Sequence, residues 1–244
     1  MINWRIGCSG FHYKHWKGSF YPDDLPQTRW FQHYCHHFNT LELNVSFYRF
    51  PRLSALENWY GKAPAEFSFA VKAPRAITHY KKFLGTANML SDFYGLLASG
   101  LKEKLGCVLF QMPPNFTYSP DRLDRIIRAL DNRAPNVLEF RHPTWWRDDV
   151  YKELAKYDIS FCGMSHPSLP KEVVANTSLL YYRLHGEDQL YSSSYQKSFL
   201  SALAKSVEKE KILTDSFIFF NNDINANAVF NALEMKKLVQ GVYL

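Results

Sequence analysis

Short apolar runs of five to eight residues recur along the chain and alternate with helix-like patterns. Eight runs rich in β-branched and aromatic residues predict strands at 4–9, 41–48, 67–72, 107–112, 137–141, 159–164, 179–185 and 217–222. Apolar residues spaced three and four apart predict helices at 27–38, 86–105, 119–132 and 225–239. The segment 165–178, between the sixth and seventh strands, is predicted to hold at most a short helix.

This alternation of strands and helices predicts the fold class. Strands that alternate with helices form parallel βαβ units. Eight units over 244 residues fit an α/β protein with a single (β/α)8 TIM-type barrel, one domain spanning 1–244. A doubly wound open sheet is the alternative, and the absence of a Gly-x-Gly-x-x-Gly or P-loop pattern after the first strand counts against it.

The parity of polar positions within the strands predicts where the chemistry lies. Successive side chains of a strand point to opposite faces, so Leu138 and Phe140 share one face of 137–141 while Glu139 and Arg141 share the other. The same separation in other strands gives a polar face with Glu42, Asn44, Lys72, Gln111, Arg183 and His185. In a barrel this face points to the axis, and active sites lie at the carboxyl ends of the strands. The alternative is a buried ion-pair layer that only fills the barrel, although such pairs stabilise a fold poorly.

The charges on this face favour an anionic ligand. Lys72, Arg141 and Arg183 outnumber Glu42 and Glu139, and guanidinium groups match phosphate and carboxylate geometry. A helix predicted to start after the last strand, within 221–228, offers a second phosphate position, although Asn and Asp cap helices in general. The net charge of +6 and pI near 9.0 agree, but scattered surface lysines give the same charge.

These observations predict roles for individual residues. The predicted catalytic residues are Glu42, Lys72, Glu139 and His185, with a glutamate as base and His185 as acid or proton shuttle. The predicted ligand-binding residues are Ser9, Asn44, Tyr48, Gln111, Arg141, His142, Trp145, Arg183, Asn221 and Asp223. Together they predict an enzyme that acts on a phosphate-bearing ligand, a nucleotide or nucleic acid, by hydrolytic or phosphodiester chemistry. The alternatives are a nucleic-acid-binding module without catalysis and a sugar-processing enzyme or glycosidase.

Aromatic residues and histidines follow several of the predicted strands, and most of the aromatic residues can be interpreted in two ways. Tyr48, Phe11, Trp16, Trp145 and Trp146 either stack on sugars and bases or close the end of the barrel by packing. Tyr191 and Tyr195, in a polar loop, predict a lid over the site, whereas His12 and His15 are interpreted as loop or surface histidines.

No cofactor is predicted from the spacing of potential ligands. His185, Glu139 and Asp223 leave a divalent metal open, but no His-x-His or His-Glu-x-x-His pattern supports one. Four widely spaced cysteines without a Cys-x-x-Cys pair predict free thiols in a reducing compartment. Because no apolar run reaches 18 residues, a cytoplasmic protein without a membrane partner is expected, and no pattern sets its oligomeric state.

Seven stretches together resemble the YecE-like family, domain of unknown function 72. They are "GCSGFHYKHWKGSFYP", "TLELNVSFYRFP", "FSFAVKAP", "LGCVLFQMPPNF", "VLEFRHPTWW", "YYRLHG" and "FIFFNND", in the family's order over nearly the whole chain. The resemblance implies a TIM-type barrel and no specific reaction. Its motifs fall on Ser9, Gly10, Glu42, Asn44, Tyr48, Lys72, Gln111, Pro113, Glu139, Arg141, Trp145, Arg183, His185, Gly186, Asn221 and Asp223.

This chain departs from the resemblance at two places. Cys8 stands where the family usually has Thr, and Gln189-Leu190 precede Tyr191 where members often have Trp. The family is also broadly similar to barrel enzymes of the endonuclease IV and sugar-isomerase groups. Those enzymes use sets of metal-binding His and acidic residues, for which this sequence has no convincing equivalent.

Overall fold

Eight strands alternate with helices along the chain, of which a computed structural model describes residues 1–241. The strands are β1 Asn3–Cys8, β2 Thr40–Leu43, β3 Ser68–Lys72, β4 Leu105–Gln111, β5 Asn136–Glu139, β6 Ile159–Ser165, β7 Leu179–Leu184 and β8 Asp215–Phe220. Their order in the sheet is β1-β8-β7-β6-β5-β4-β3-β2. The pairings β1–β8, β3–β4, β4–β5, β5–β6 and β7–β8 are parallel. This confirms the predicted α/β class and (β/α)8 TIM-type barrel fold.

Eight α-helices accompany these strands in the described part of the chain. They are α1 Trp30–His37, α2 Val45–Tyr48, α3 Leu53–Lys62, α4 Ala87–Leu101, α5 Pro120–Ala129, α6 Asp148–Ala155, α7 Lys197–Lys209 and α8 Asn227–Gln240. Short 3-10 helices lie at Lys14–Trp16, Gln27–Arg29, Lys102–Lys104, Pro143–Trp145 and Ile224–Ala226, and a π-helix at Ala76–Tyr80. The four predicted helices correspond to α1, α4, α5 and α8, and Ser119 caps α5 by accepting from the Arg122 N–H.

The predicted second strand, 41–48, is wrong over its second half. The strand ends at Leu43, and Val45–Tyr48 is helical. The Ser46 hydroxyl donates to the Leu43 carbonyl at 3.2 Å and to the Lys72 carbonyl at 2.6 Å, which holds the chain in a turn where it would otherwise extend. Helices α3, α6 and α7 were absent from the prediction, and residues 166–178 contain no helix.

Residue contacts group the chain into two compact units. The first unit contains Met1–Glu42 and the described residues from Gly163 onward, and the second contains Leu43–Cys162. The prediction of one domain over 1–244 stays a prediction.

Close backbone packing fixes the first unit around β1. The Tyr34 hydroxyl donates to the Thr40 carbonyl at 3.0 Å and accepts from the Cys8 N–H at 2.8 Å. A Cβ at Gly7 would lie 2.4 Å from the Thr40 carbonyl oxygen, so this strand position requires glycine.

A buried lysine ties α3 to the start of β4 in the second unit. Lys104 Nζ donates to the carbonyls of Tyr60 at 2.8 Å and Ala63 at 2.7 Å, and lies 4.5 Å from the centre of the Tyr60 ring. The last carbonyls of a helix have no partner within it, and Lys104 supplies one.

Replacing Lys104 by Met tests this tie. Lys104→Met leaves two carbonyls at the end of α3 without their charged donor, so we expect the free energy of unfolding to fall by about 2 to 3 kcal/mol. Urea denaturation followed by circular dichroism measures the change. Lys62→Met, an exposed position on the last turn of α3, is the matched control and is expected to change stability by a few tenths of a kcal/mol. Equal stability of the two variants contradicts the role of Lys104.

Candidate functional site

The predicted site residues fall into two clusters, one in each unit. The first-unit cluster contains Ser9, Glu42, Tyr181, Arg183, His185, Asn221 and Asp223, together with Tyr13, His15 and Trp16 from the loop after β1. The second-unit cluster contains Phe47, Tyr48, Lys72, Arg75, His79, Tyr80, Gln111, Glu139 and Arg141. In both, most members lie at or just after the carboxyl ends of strands, as the fold predicts.

Glu42 forms a fully buried ion pair in the first-unit cluster. Arg183 Nη2 donates to Glu42 Oε1 at 2.7 Å, and the Tyr181 hydroxyl donates to Oε2 at 2.5 Å. Strand parity places Tyr181 and Arg183 on the same face of β7, and both reach this carboxylate. Glu42 is therefore enclosed in the protein and paired with a permanent cation.

His185 is buried at the end of β7 and held by three contacts. Its ring Nδ1 lies 3.0 Å from Asn221 Nδ2, its N–H donates to the Ser165 carbonyl at 3.0 Å, and its carbonyl accepts from the Tyr191 N–H at 2.6 Å. An amide nitrogen can only donate, so with the Asn221 amide in this orientation Nδ1 of His185 is the acceptor.

Asp223 joins the end of β8 to the loop after β1. Trp16 Nε1 donates to its Oδ1 at 2.7 Å, and His15 Nε2 lies 3.0 Å from its Oδ2 and 2.9 Å from its carbonyl oxygen. Burial raises the pKa of the Asp223 carboxyl from 3.8 to about 6, although the contacts with Trp16 and His15 act in the opposite direction. A carboxyl group with this pKa exchanges a proton near neutral pH.

The backbone around Ser9 is shaped by Tyr13. The Tyr13 hydroxyl donates to the Ser9 carbonyl at 2.7 Å, and the Tyr13 ring lies 5.1 Å from the Trp16 ring. Ser9 Oγ is buried and has no hydrogen-bond partner among residues 1–241. A buried hydroxyl without a partner is costly in a folded protein, which is typical of a site that a ligand or water completes.

The second-unit cluster gathers around the ends of three neighbouring strands. Gln111 ends β4 in register with Glu139 at the end of β5, and Arg141 Nε donates to Glu139 Oε1. Lys72, at the end of β3 and only 9% exposed, places its ammonium 4.2 Å from the centre of the Phe47 ring. Burial lowers the pKa of His79, and the nearby charge of Lys72 lowers it further, whereas the charge of Glu139 acts to raise it.

Exposed aromatic rings flank an arginine in the same cluster. The Arg75 guanidinium lies 5.8 Å from the centre of the Tyr48 ring and 5.4 Å from that of the Tyr80 ring. Tyr48 is 70% and Tyr80 67% exposed, so both rings present surface to solvent.

Comparison with known proteins identifies the family. A family model described as "Protein of unknown function DUF72" matches residues 5–243. The chain belongs to this family. Among curated relatives, UPF0759 protein YunF of Bacillus subtilis is 25% identical over 261 residues, covering 92% of each chain. UPF0759 protein YecE of Escherichia coli is 25% identical over 118 residues, which is 47% of this chain and 42% of that protein.

Solved structures of DUF72 proteins share the fold. A DUF72 family protein from Thermotoga maritima superposes with a TM-score of 0.87 at 25% identity, over 98% of this chain and 100% of that one. A second, from Enterococcus faecalis, has a TM-score of 0.84 at 19% identity, over 99% and 97% of the two chains, and supports the fold alone.

Two sequence predictions for this DUF72 chain need correction. Trp145 is fully buried, with its ring stacked 3.9 Å from that of Phe140 and its Nε1 donating to the Phe116 carbonyl, so it packs the core and offers no surface to a ligand. Tyr195 is buried and its hydroxyl accepts from the Gly186 N–H, so a lid can involve only the exposed Tyr191 of the pair. His15 is an exposed histidine of the loop after β1, as predicted, and it pairs there with Asp223.

The remaining predicted residues have local roles. His142 Nδ1 accepts from the Thr144 N–H and caps the 3-10 helix Pro143–Trp145. Asn44 is the N-cap residue of α2 without a side-chain capping bond. The start of α8 likewise lacks a side-chain cap, because its N-cap residue, Ala226, has no acceptor in its side chain.

Eight cluster members are outside the predicted catalytic and ligand-binding residues: Tyr13, His15, Trp16, Phe47, Arg75, His79, Tyr80 and Tyr181. The position of His15 in the loop after the first strand is the sequence feature that could indicate a site residue. Its partner Asp223 follows β8, so the pair is not visible in the sequence. These two loops become neighbours only because β1 pairs with β8.

The structure also gives findings on metal-binding groups and on membrane-spanning helices. Within residues 1–241, no group of three or more His, Cys, Asp or Glu side chains is arranged to hold a metal ion. No helix in that range is long and apolar enough to cross a membrane.

Replacing Asp223 by Asn tests its raised pKa through stability. Between the ordinary pKa of 3.8 and the folded-state value of about 6, the folded protein binds more protons at this group than the unfolded chain. This group therefore stabilises the fold at low pH, and its contribution is lost as the pH rises through 6. We expect the unfolding free energy of the unsubstituted protein, measured against that of Asp223→Asn, to fall by about 2 kcal/mol from pH 4 to pH 7.

Urea denaturation at a series of pH values measures this difference. Asp92→Asn, at an exposed position of α4, is the control and should leave the pH profile unchanged. Parallel profiles for Asp223→Asn and the unsubstituted protein would show that Asp223 titrates as an ordinary carboxylate.

Proposed function

We propose that the chain is an enzyme that acts on a phosphate-bearing ligand, a nucleotide or nucleic acid, by hydrolytic chemistry. The observation that carries the proposal is the placement of Lys72 in the second-unit cluster. Lys72 is buried at the end of β3 with its ammonium over the Phe47 ring, so a positive charge is held at the carboxyl end of this strand. Lys72, Arg75 and Arg141 contribute three positive charges to the cluster and Glu139 one negative charge, so an anionic group at the ends of β3 to β5 improves the balance.

Tyr48, Tyr80 and Arg75 favour a nucleotide over a simple phosphate. Exposed aromatic rings beside a guanidinium form a surface on which nucleobases stack, and such stacking contributes about 1 to 3 kcal/mol per base. A phosphate on Lys72 and a base on these rings would contact two segments of the second unit. One runs from the end of β3 through the π-helix Ala76–Tyr80, and the other is helix α2.

The first-unit cluster supports proton transfer. Asp223 is hydrogen bonded to an exposed histidine and has a pKa of about 6, the property that general acid–base catalysts share. We therefore assign proton transfer in the first unit to Asp223 with His15, in preference to Glu42, which is paired with Arg183. Glu139 and His185 stay proposed catalytic residues, and Ser9, Gln111, Asn221 and Arg183 proposed ligand-binding residues.

Replacing Lys72 by Met tests the phosphate position. The Met side chain keeps the apolar contact with Phe47 and removes the charge, so we expect the protein to stay folded and to bind adenosine monophosphate or a short single-stranded oligonucleotide at least tenfold more weakly. Isothermal titration calorimetry at low salt measures the affinity. Lys102→Met removes a lysine that also lies over an aromatic ring, at 5.0 Å from Tyr60, and should leave binding unchanged. Equal affinity of Lys72→Met and the unsubstituted protein excludes this phosphate position.

The same titrations separate the alternative functions. A nucleic-acid-binding module binds the oligonucleotide with affinity that falls steeply with salt, and turns nothing over. A sugar-processing enzyme binds neutral sugars saturably, and Glu139→Gln removes its activity.

Replacing Asp223 by Asn also tests the hydrolytic step. If Asp223 transfers the proton, hydrolysis of bis(p-nitrophenyl) phosphate should slow by about a hundredfold or more in Asp223→Asn, and the inflection of the rate near pH 6 should disappear. Steady-state kinetics across pH give both quantities, with Asp92→Asn as the control. A slower variant that keeps the inflection near pH 6 would assign the titrating group to another residue.

A further inference from the structure

An open apolar cavity of about 240 Å³ lies in the second unit, between the end of β2 and helices α2 and α3. Its apolar walls come from Leu43, Val45, Phe50, Leu56, Trp59 and Val71. An apolar cavity of about 150 Å³ is large enough to bind benzene, so this one has room for a larger aryl or medium-length alkyl group.

The cavity walls are fixed from two sides. On one side, the Ser46 hydroxyl ties α2 to the carbonyls of Leu43 and Lys72. On the other, α3 packs tightly on α4, because a Cβ at Gly100 would lie only 2.4 Å from the Leu56 Cβ. Walls held in this way cannot move together to fill the space, so the cavity is a preformed feature.

Two arginines and exposed apolar side chains surround the opening. Arg49 and Arg52 line the cavity and are exposed, and neither forms an ion pair with an acidic side chain of residues 1–241. Val45, in the wall, is 71% exposed, and the neighbouring Leu53 is 38% exposed. An apolar pocket with a few charged groups at its edge is the usual composition of a small-molecule site, and two guanidinium groups select an anionic head.

We propose that this cavity binds a small amphiphilic anion, a carboxylate with a medium-length alkyl or aryl body. The body occupies the space between Leu56, Trp59 and Val71, and the carboxylate contacts Arg49 and Arg52. This charge complementarity distinguishes the ligand from a neutral apolar molecule of the same size.

This cavity is separate from the phosphate position of the proposed function. Val71 lines the cavity and Lys72 belongs to the second-unit cluster, and adjacent residues of a strand point to opposite faces. The cavity and the cluster therefore lie on the two sides of β3, and ligands at the two sites do not compete for the same contacts.

Titration with octanoate tests the proposal, with octanol as the uncharged probe of matched length. We expect saturable calorimetric binding of octanoate, at least tenfold tighter than that of octanol. In Arg49→Gln/Arg52→Gln the octanoate affinity should fall to that of octanol. Ala55→Phe, at an exposed position of α3 that lines the cavity, should abolish binding of both probes. Ser54→Phe, at the adjacent exposed position outside the lining, is the control and should bind like the unsubstituted protein.

Three results would overturn the proposal. They are no saturable octanoate binding, binding that survives Ala55→Phe, or octanol affinity equal to that of octanoate. A dimer in solution that Ala55→Phe dissociates, without octanoate binding, would assign the cavity to an interface between copies of this chain and also overturn it. Lys72→Met should bind octanoate normally, so failure of the phosphate proposal and failure of this one give different results.

Discussion

Burial of Glu42 and Arg183 removes two full charges from water, and their mutual contact and the Tyr181 hydroxyl offset part of the lost solvation. The arrangement of the first unit follows from this constraint, since β2 and β7 must present these side chains to one another at hydrogen-bonding distance. Neither charge can be removed alone without leaving the other buried and uncompensated. The pair is therefore a fixed polar element of the first unit.

Asp223 shows the opposite solution to the same physical problem. It is also largely buried, but its partners are an indole N–H and an imidazole instead of a guanidinium. These partners do not compensate fully for the lost hydration, so its pKa rises to about 6. Two carboxylates on neighbouring parts of one unit thus have different chemistry because one is paired with a permanent cation and the other is not.

The second unit combines a charged and an apolar site on one strand. At its carboxyl end, β3 carries Lys72 toward Phe47, while the preceding residue, Val71, lines the cavity on the other face. Helix α2 contributes to both sides, with Phe47 against the lysine and Val45 in the cavity wall. Its attachment through Ser46 keeps both arrangements in place.

The pattern of apolar runs was sufficient for the fold class, the eight strands and four of the helices, because the period of burial is written directly in the order of residues. Parity within a single strand also placed Glu139 and Arg141 on a common face. Helix α2 was missed because its β-branched and aromatic residues favour strands, whereas the long-range bond from Ser46 to the Lys72 carbonyl stabilises the turn. Likewise, Trp145 has the same sequence signature whether it lines a site or fills a core, and its stacking on Phe140 decides between them. Tertiary structure alone joined His15 and Trp16 to Asp223 across more than two hundred residues, because pairing of β1 with β8 brings together loops that are distant in sequence, and burial at that junction sets the pKa of the carboxyl group.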